Sequence, residues 1–193
     1  IWVFGLMGAG AVGLFGAYMM VPHVAGRIKR FMDPASGDTF QVDMAMESFT
    51  HGGWFGQGPG EGTVKRILPD SHTDFVFAVA AEEFGIILCL ALLALFAFIV
   101  IRALSRAYRS EDLFARFAAA GLAIMFGIQA SINMAVNLHL MPAKGMTLPF
   151  ISYGGSSMVS LAYGVGMLLA LTRQRPQVEM DSIGAANAAH SFA

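Results

Sequence analysis

Charge is scarce in this chain. Only 13% of its 193 residues are Asp, Glu, Lys or Arg, about half the ~25% share of a soluble domain. The formal net charge of -1 leaves no strongly basic or acidic face to recruit nucleic acid by bulk electrostatics. Cysteine is limited to Cys89, inside an apolar run, which excludes an internal disulfide and any paired-thiol metal or redox site. An initiator methionine, a signal peptide and a targeting segment are also missing. Ile1 already belongs to an apolar stretch, so the sequence reads as part of a longer protein.

Apolar length stands where charge does not. Hydrophobic residues make up 56% of the chain and 22 more residues are glycine, which places it in the membrane class. A hydrocarbon core of ~30 Å needs about 20 helical residues. Four runs satisfy that requirement, at about 1–21, 75–101, 113–138 and 150–172. The expected fold is therefore all-α, a polytopic transmembrane helix bundle with four spans in the domain 1–172. The first span lines up Gly5, Ala9, Gly13 and Ala17 every fourth residue, a small-residue face suited to close helix packing.

Arginine sets the orientation. Arg102, Arg106, Arg109 and Arg116 cluster around the connection between the second and third spans, and Arg173 and Arg175 open the tail. By the positive-inside rule both are cytoplasmic, which is consistent because two crossings separate them. Segments 22–74 and 139–149 then lie outside, in the periplasm if the source is bacterial. The tail 173–193, rich in Ala, Ser and Asn without apolar period, is expected to be disordered. The loop 22–74 is too long for a passive connector. Val42, Ala45, Met46 and Phe49 predict a short interfacial helix within it, and the glycine-rich stretch 52–62 turns the chain back.

Polar groups at membrane depth are costly and mark partners or cavities. Asp74 stands at the outer mouth of the second span, with Glu82 and Glu83 about 12 and 13 Å deeper on a regular helix. Carboxylate pairs of glycosidases stand ~5–9.5 Å apart, so Asp74 would act alone among these acids. The plainer reading is that Thr73 or Asp74 caps the helix; for Glu82 and Glu83 it is ion pairing between helices. Gln129, Asn133 and Asn137 form a polar stripe, explained either by hydrogen bonds across helices or by lining of a cavity. Arg27, Lys29, Arg30, Lys65, Arg66, His72 and Lys144 are outer-side groups that could meet lipid headgroups or a phosphorylated ligand. Gly154, Gly155, Ser156 and Ser157 precede the last apolar run, either as an anion-holding helix start or as helix-packing residues.

Two segments carry a more specific spelling. The first runs Gly56-Gln57-Gly58, Lys65, Leu68-Pro69-Asp70-Ser71-His72-Thr73-Asp74-Phe75, then Glu82-Glu83-Phe84-Gly85. The second is Met141-Pro142-Ala143-Lys144-Gly145-Met146-Thr147-Leu148-Pro149-Phe150-Ile151-Ser152-Tyr153-Gly154-Gly155-Ser156-Ser157. Together they resemble the SEDS family (shape, elongation, division and sporulation proteins) over roughly residues 1–172, and the run Gly56 to Arg66 looks like the division branch rather than the elongation branch. Met44-Ala45 and Ala81 depart from the family's usual residues at those positions.

The resemblance implies a ten-helix inner-membrane fold, of which this chain supplies the last four helices and the large periplasmic loop. The missing helices would complete the cavity, so the chain alone is expected to be inactive. It implies a peptidoglycan glycosyltransferase that joins lipid II into β-1,4-linked glycan on undecaprenyl diphosphate at the division septum. Asp74 would be catalytic. Lys65, Arg66, His72, Lys144, Ser156 and Ser157 would bind substrate, and Glu82, Glu83, Asn133 and Asn137 would be structural or line the cavity. No cofactor is certain; a divalent cation, magnesium or manganese, is compatible with the diphosphate chemistry. Implied partners are a class B penicillin-binding protein, other divisome proteins and membrane lipids, with no nucleic acid. A lipid II flippase and a non-catalytic division scaffold are the competing functions.

Overall fold

The computed structural model describes residues 2–33, 40–142 and 145–173. Lys144 and the tail beyond Arg173 lie outside the described residues, as do the side chains of Arg27 and Arg30. All regular structure among the described residues is helical: α1 (Trp2–Met20), α2 (Pro22–Met32), α3 (Phe40–Gly52), a 3-10 turn at Val64–Arg66, α4 (Val76–Tyr108), α5 (Leu113–Asn137) and α6 (Gly155–Thr172). Three of these, α4, α5 and α6, are long and apolar enough to cross a membrane. The first expected span appears as α1, a shorter apolar helix whose side chains are largely exposed and which touches only α2 among the described elements.

The loop between α1 and α4 holds more helix than the sequence pattern predicts. Pro22 occupies the first turn of α2, where its missing N–H costs nothing and its fixed φ favours helix. The expected loop helix is α3, but its inner face is Ala45, Ser48 and Gly52, while Met46 points outward. Small residues face inward because α3 packs on α4 at close range. A methyl group on Gly52 would stand 1.9 Å from the Ala81 carbonyl oxygen.

The second span is not one straight helix. At Gly85 φ is 79° and ψ is 179°, a region essentially restricted to glycine, and the chain turns back so that Cys89 Sγ lies 3.9 Å from the Phe77 carbonyl oxygen. Such a break frees helical carbonyl and N–H groups, which nothing in hydrocarbon can satisfy. The glycine-rich loop satisfies them. The Gln57 and Gly58 N–H groups donate to the Glu82 and Glu83 carbonyls at 2.9 and 3.0 Å, while the Ile86 and Ile87 N–H groups donate to the Gly53 and Trp54 carbonyls at 2.9 and 3.4 Å. The close approach requires glycine at Gly56 as well, where φ is 80° and an added methyl would meet the Glu83 carbonyl oxygen at 2.2 Å.

Phe77, Ala81, Cys89, Phe96, Phe126, Ala130, Met134 and Leu148 form the main core between α4, α5 and the segment before α6. Toward the other end, Ala103 and Ala107 meet Ala119, Ala123 and Leu168, a seam of small side chains that lets α4 and α5 approach closely.

Candidate active site

Asp74 sits in the turn before α4, and the turn is built by Asp70. The Asp70 carbonyl receives the N–H groups of Thr73, Asp74 and Phe75 at 3.0, 3.1 and 3.3 Å, and the Thr73 hydroxyl at 3.1 Å. Asp70 itself has φ 55°, a left-handed conformation that Asp tolerates better than most residues. Neither Thr73 nor Asp74 caps the helix: the N-cap is Phe75, without a side-chain cap bond. The capping explanation for Asp74 therefore fails, because its backbone is spent on closing the turn one residue before the helix entrance.

The Asp74 main chain is clamped from α5. Asn133 and Asn137 each donate a side-chain N–H to its carbonyl oxygen, at 2.8 and 2.9 Å. Asn133 also donates to the Met146 carbonyl, Gln129 donates to the Thr147 carbonyl at 3.1 Å, and Asn137 accepts from the Ala78 N–H at 3.1 Å. The polar stripe thus faces protein and ties three separate segments together. Asn133 and Asn137 are buried, so each bond replaces one that water cannot supply.

The second motif folds over the first. The Tyr153 N–H donates to the His72 carbonyl at 2.8 Å, and a methyl on Gly145 would come within 3.2 Å of Asp74 Oδ2. Leu148 and Ser152 are buried, the Leu148 N–H donating to the Ser152 hydroxyl at 2.7 Å. Phe150 holds φ 61°, a strained backbone for an aromatic residue. The regular helix begins only at Gly155, because residues 148–154 are spent on this turn. Ser157 donates to the Gly154 carbonyl at 3.0 Å, and Ser156 is exposed.

The Asp74 carboxylate accepts no hydrogen bond from the described residues and is half-buried. Burial pushes its carboxyl above the usual carboxylate range, and the Asp70 carboxylate adds to the rise. A partly desolvated carboxylate without a hydrogen-bond partner among the described residues is suited to taking a proton from a hydroxyl.

The two glutamates do different work. Glu82 is fully buried and accepts the N–H groups of Thr63, Val64 and Lys65 at 2.7, 2.8 and 3.0 Å, holding the 3-10 turn. Glu83 pairs with the Lys65 ammonium. The ion-pair reading therefore applies to Glu83 alone, and the Lys65 ammonium is already engaged. Arg66 and His72 are exposed. Among the described residues no group of three or more His, Cys, Asp or Glu side chains is placed to hold a metal ion. Sequence reasoning missed the break at Gly85 and the turn built by Asp70. An isolated glycine in an apolar run, and Asp beside Pro, were the available signals.

These features define a multi-pass helical membrane protein with an acid-bearing turn clamped between a broken helix, α5 and the turn that precedes α6. The family model FTSW_RODA_SPOVE, described as "Cell cycle protein", matches residues 1–177, and the chain belongs to that family. A Caulobacter vibrioides relative named "Probable peptidoglycan glycosyltransferase FtsW" is 51% identical over 175 residues, covering 91% of this chain and 45% of its own. A Legionella pneumophila relative of the same name is 41% identical over 180 residues, covering 90% and 46%. A solved chain from a study of "Structural coordination of polymerization and crosslinking by a peptidoglycan synthase complex" superposes with TM-score 0.70 at 31% identity, over 91% of this chain and 50% of its own. The chain spans about half the length of the curated relatives it matches.

Proposed function

We propose that the protein containing this chain is a peptidoglycan glycosyltransferase of the bacterial inner membrane that polymerises lipid II during division, with Asp74 as its base. The observation that carries this reading is the Asp74 carboxylate, free of protein hydrogen bonds among the described residues and facing the Gly145 backbone, where the two motifs meet. The names of the relatives support the reaction class.

Undecaprenyl diphosphate leaves readily because its charge is spread over several oxygens, so the reaction needs one base and some cations rather than two carboxylates. Asp74 takes the proton of the acceptor N-acetylglucosamine 4-hydroxyl. The oxygen attacks the anomeric carbon of the donor N-acetylmuramic acid with inversion, forming the β-1,4 bond as the diphosphate departs with the bonding electrons. Arg66 and Lys144 meet the diphosphate charge, with His72, Ser156 and Ser157 at the rim. Lys65 joins them only if it exchanges Glu83 for the ligand. Asn133 and Asn137 act as positioning residues by fixing the Asp74 main chain.

The site faces the periplasm, and the connection between α4 and α5 and the tail face the cytoplasm. A class B penicillin-binding protein and other divisome proteins are the partners, the former supported by the coupling of polymerisation and crosslinking in the similar synthase complex. A polymerisation assay on the intact protein, with and without the transpeptidase, tests the assignment. Wild type should yield glycan polymer and Asp74→Asn none, and normal polymer from the variant would remove Asp74 from the mechanism.

A further inference from the structure

A second charged feature lies far from Asp74. Arg116 precedes Asn133 by 17 positions on α5, which is about 25 Å along a helix. Asn133 holds Asp74, so Arg116 lies near the opposite face of a ~30 Å hydrocarbon layer. Here the C-terminal end of α4 and the N-terminal end of α5 enclose a groove of about 680 Å³, whose lining includes Leu104, Ser105, Tyr108, Arg109, Arg116 and Phe117.

The groove is amphipathic in the sense a lipid requires. Leu104, Phe117 and Ala120 supply apolar lining, and Arg109 and Arg116 line the same groove. Arg116 is stacked on the Tyr108 ring at 4.7 Å from its centroid, which fixes the guanidinium before any ligand arrives. No carboxylate among the described residues pairs with Arg109 or Arg116. The nearest acids in sequence do not neutralise them: Asp112 caps α5 by accepting the Phe114 N–H at 2.9 Å, and Glu111 is exposed. Arg102, Arg106 and Arg173 are exposed as well and add positive charge to this end of the bundle.

We propose that this groove binds an anionic glycerophospholipid, its phosphodiester held by Arg109 and Arg116 and one acyl chain lying along Leu104, Phe117 and Ala120. Paired arginines suit the oxygens of a phosphate geometrically, and basic pockets between helix ends at the headgroup level favour such lipids. The apolar lining from Leu104, Phe117 and Ala120 selects a lipid over a free phosphate or an acidic peptide, neither of which would cover it.

The test is native mass spectrometry of the intact protein in neutral detergent, titrated with phosphatidylglycerol or phosphatidylcholine. Wild type should retain phosphatidylglycerol with an apparent affinity about tenfold or more above phosphatidylcholine. Arg109→Gln combined with Arg116→Gln should erase that preference. Ser105→Trp, from an exposed position lining the groove, should erase it too while leaving both guanidiniums and the fold in place, so it decides the matter if the arginine variant misfolds. Millimolar inorganic phosphate or hexaglutamate should not displace the lipid. Equal retention of the two lipids by wild type, unchanged retention in Ser105→Trp, or displacement by phosphate or hexaglutamate would overturn the assignment.

Discussion

A carboxylate that is to act as a base must be ionised, and the surroundings of Asp74 oppose ionisation. Burial acts first and Asp70 second, both raising its pKa. Turnover should therefore fall, as pH drops, at a higher pH than for an ordinary aspartate. Asp70→Asn removes the second cause while retaining a residue that tolerates a φ of 55°. The acid limb of its pH–rate profile should shift to lower pH; an unmoved limb would uncouple the two groups. Stability has the opposite sense. The folded state holds the Asp74 proton more tightly than the unfolded chain, so stability is lost as pH rises from the ordinary carboxylate value through the raised one. Asp74→Asn mimics the neutral form. It should lose at least ~100-fold in polymerisation rate while keeping or raising Tm, and a lowered Tm would point to misfolding instead.

At the scale of the element, the break in α4 governs the architecture around the site. Gly85→Ala places a methyl 2.3 Å from the Trp54 carbonyl oxygen at φ 79° and should cost at least ~3 kcal/mol. Gly121→Ala, in α5 with nothing within 4 Å of the added methyl, should be neutral or stabilising by up to ~1 kcal/mol. Thermal unfolding of the two variants in detergent compares them directly. Glu82 contributes through its three backbone donors. Glu82→Ala takes the acceptor from all three, of which the Val64 N–H is buried, and should destabilise by ~3 kcal/mol or more. Glu82→Gln retains one oxygen as an acceptor and should cost less, an ordering that a melting series would check.

For the whole molecule, the clamp between α5 and the two motif segments links folding to the site. Asn137→Ala leaves the Ala78 N–H with the Phe75 carbonyl, at 3.0 Å, as its remaining acceptor and takes one of two donors from the Asp74 carbonyl. Both groups keep a partner, so the expected cost is ~0.5–1.5 kcal/mol, with a fall in kcat larger than any change in KM if the clamp orients the base. Alpha1 shows the opposite condition. Phe4, Leu6, Met7, Val12, Phe15, Met19 and Met20 are exposed, and nothing approaches Gly5 or Gly13 within 4 Å. A face of this kind suits lipid or further helices, in keeping with relatives about twice as long. Polymerisation should accordingly be absent from this chain by itself and present in the intact protein.

Sparse charge and long apolar runs already determined the membrane class and the all-helical architecture, because hydrophobic length is a local property that the bilayer reads directly. The motif spelling likewise pointed to Asp74. Only tertiary structure decided how polar groups are shared: Glu82 is bound to N–H groups 17 to 19 residues away, and Asn137 to the Asp74 carbonyl 63 residues away. It also decided that α4 breaks at Gly85, since the glycine merely permits that conformation and the loop from Gly53 to Gly58 supplies the bonds that replace the helical ones. Periodicity marks which face of a helix is polar, but a hydrogen-bond partner is chosen by what the folded chain brings within 3 Å.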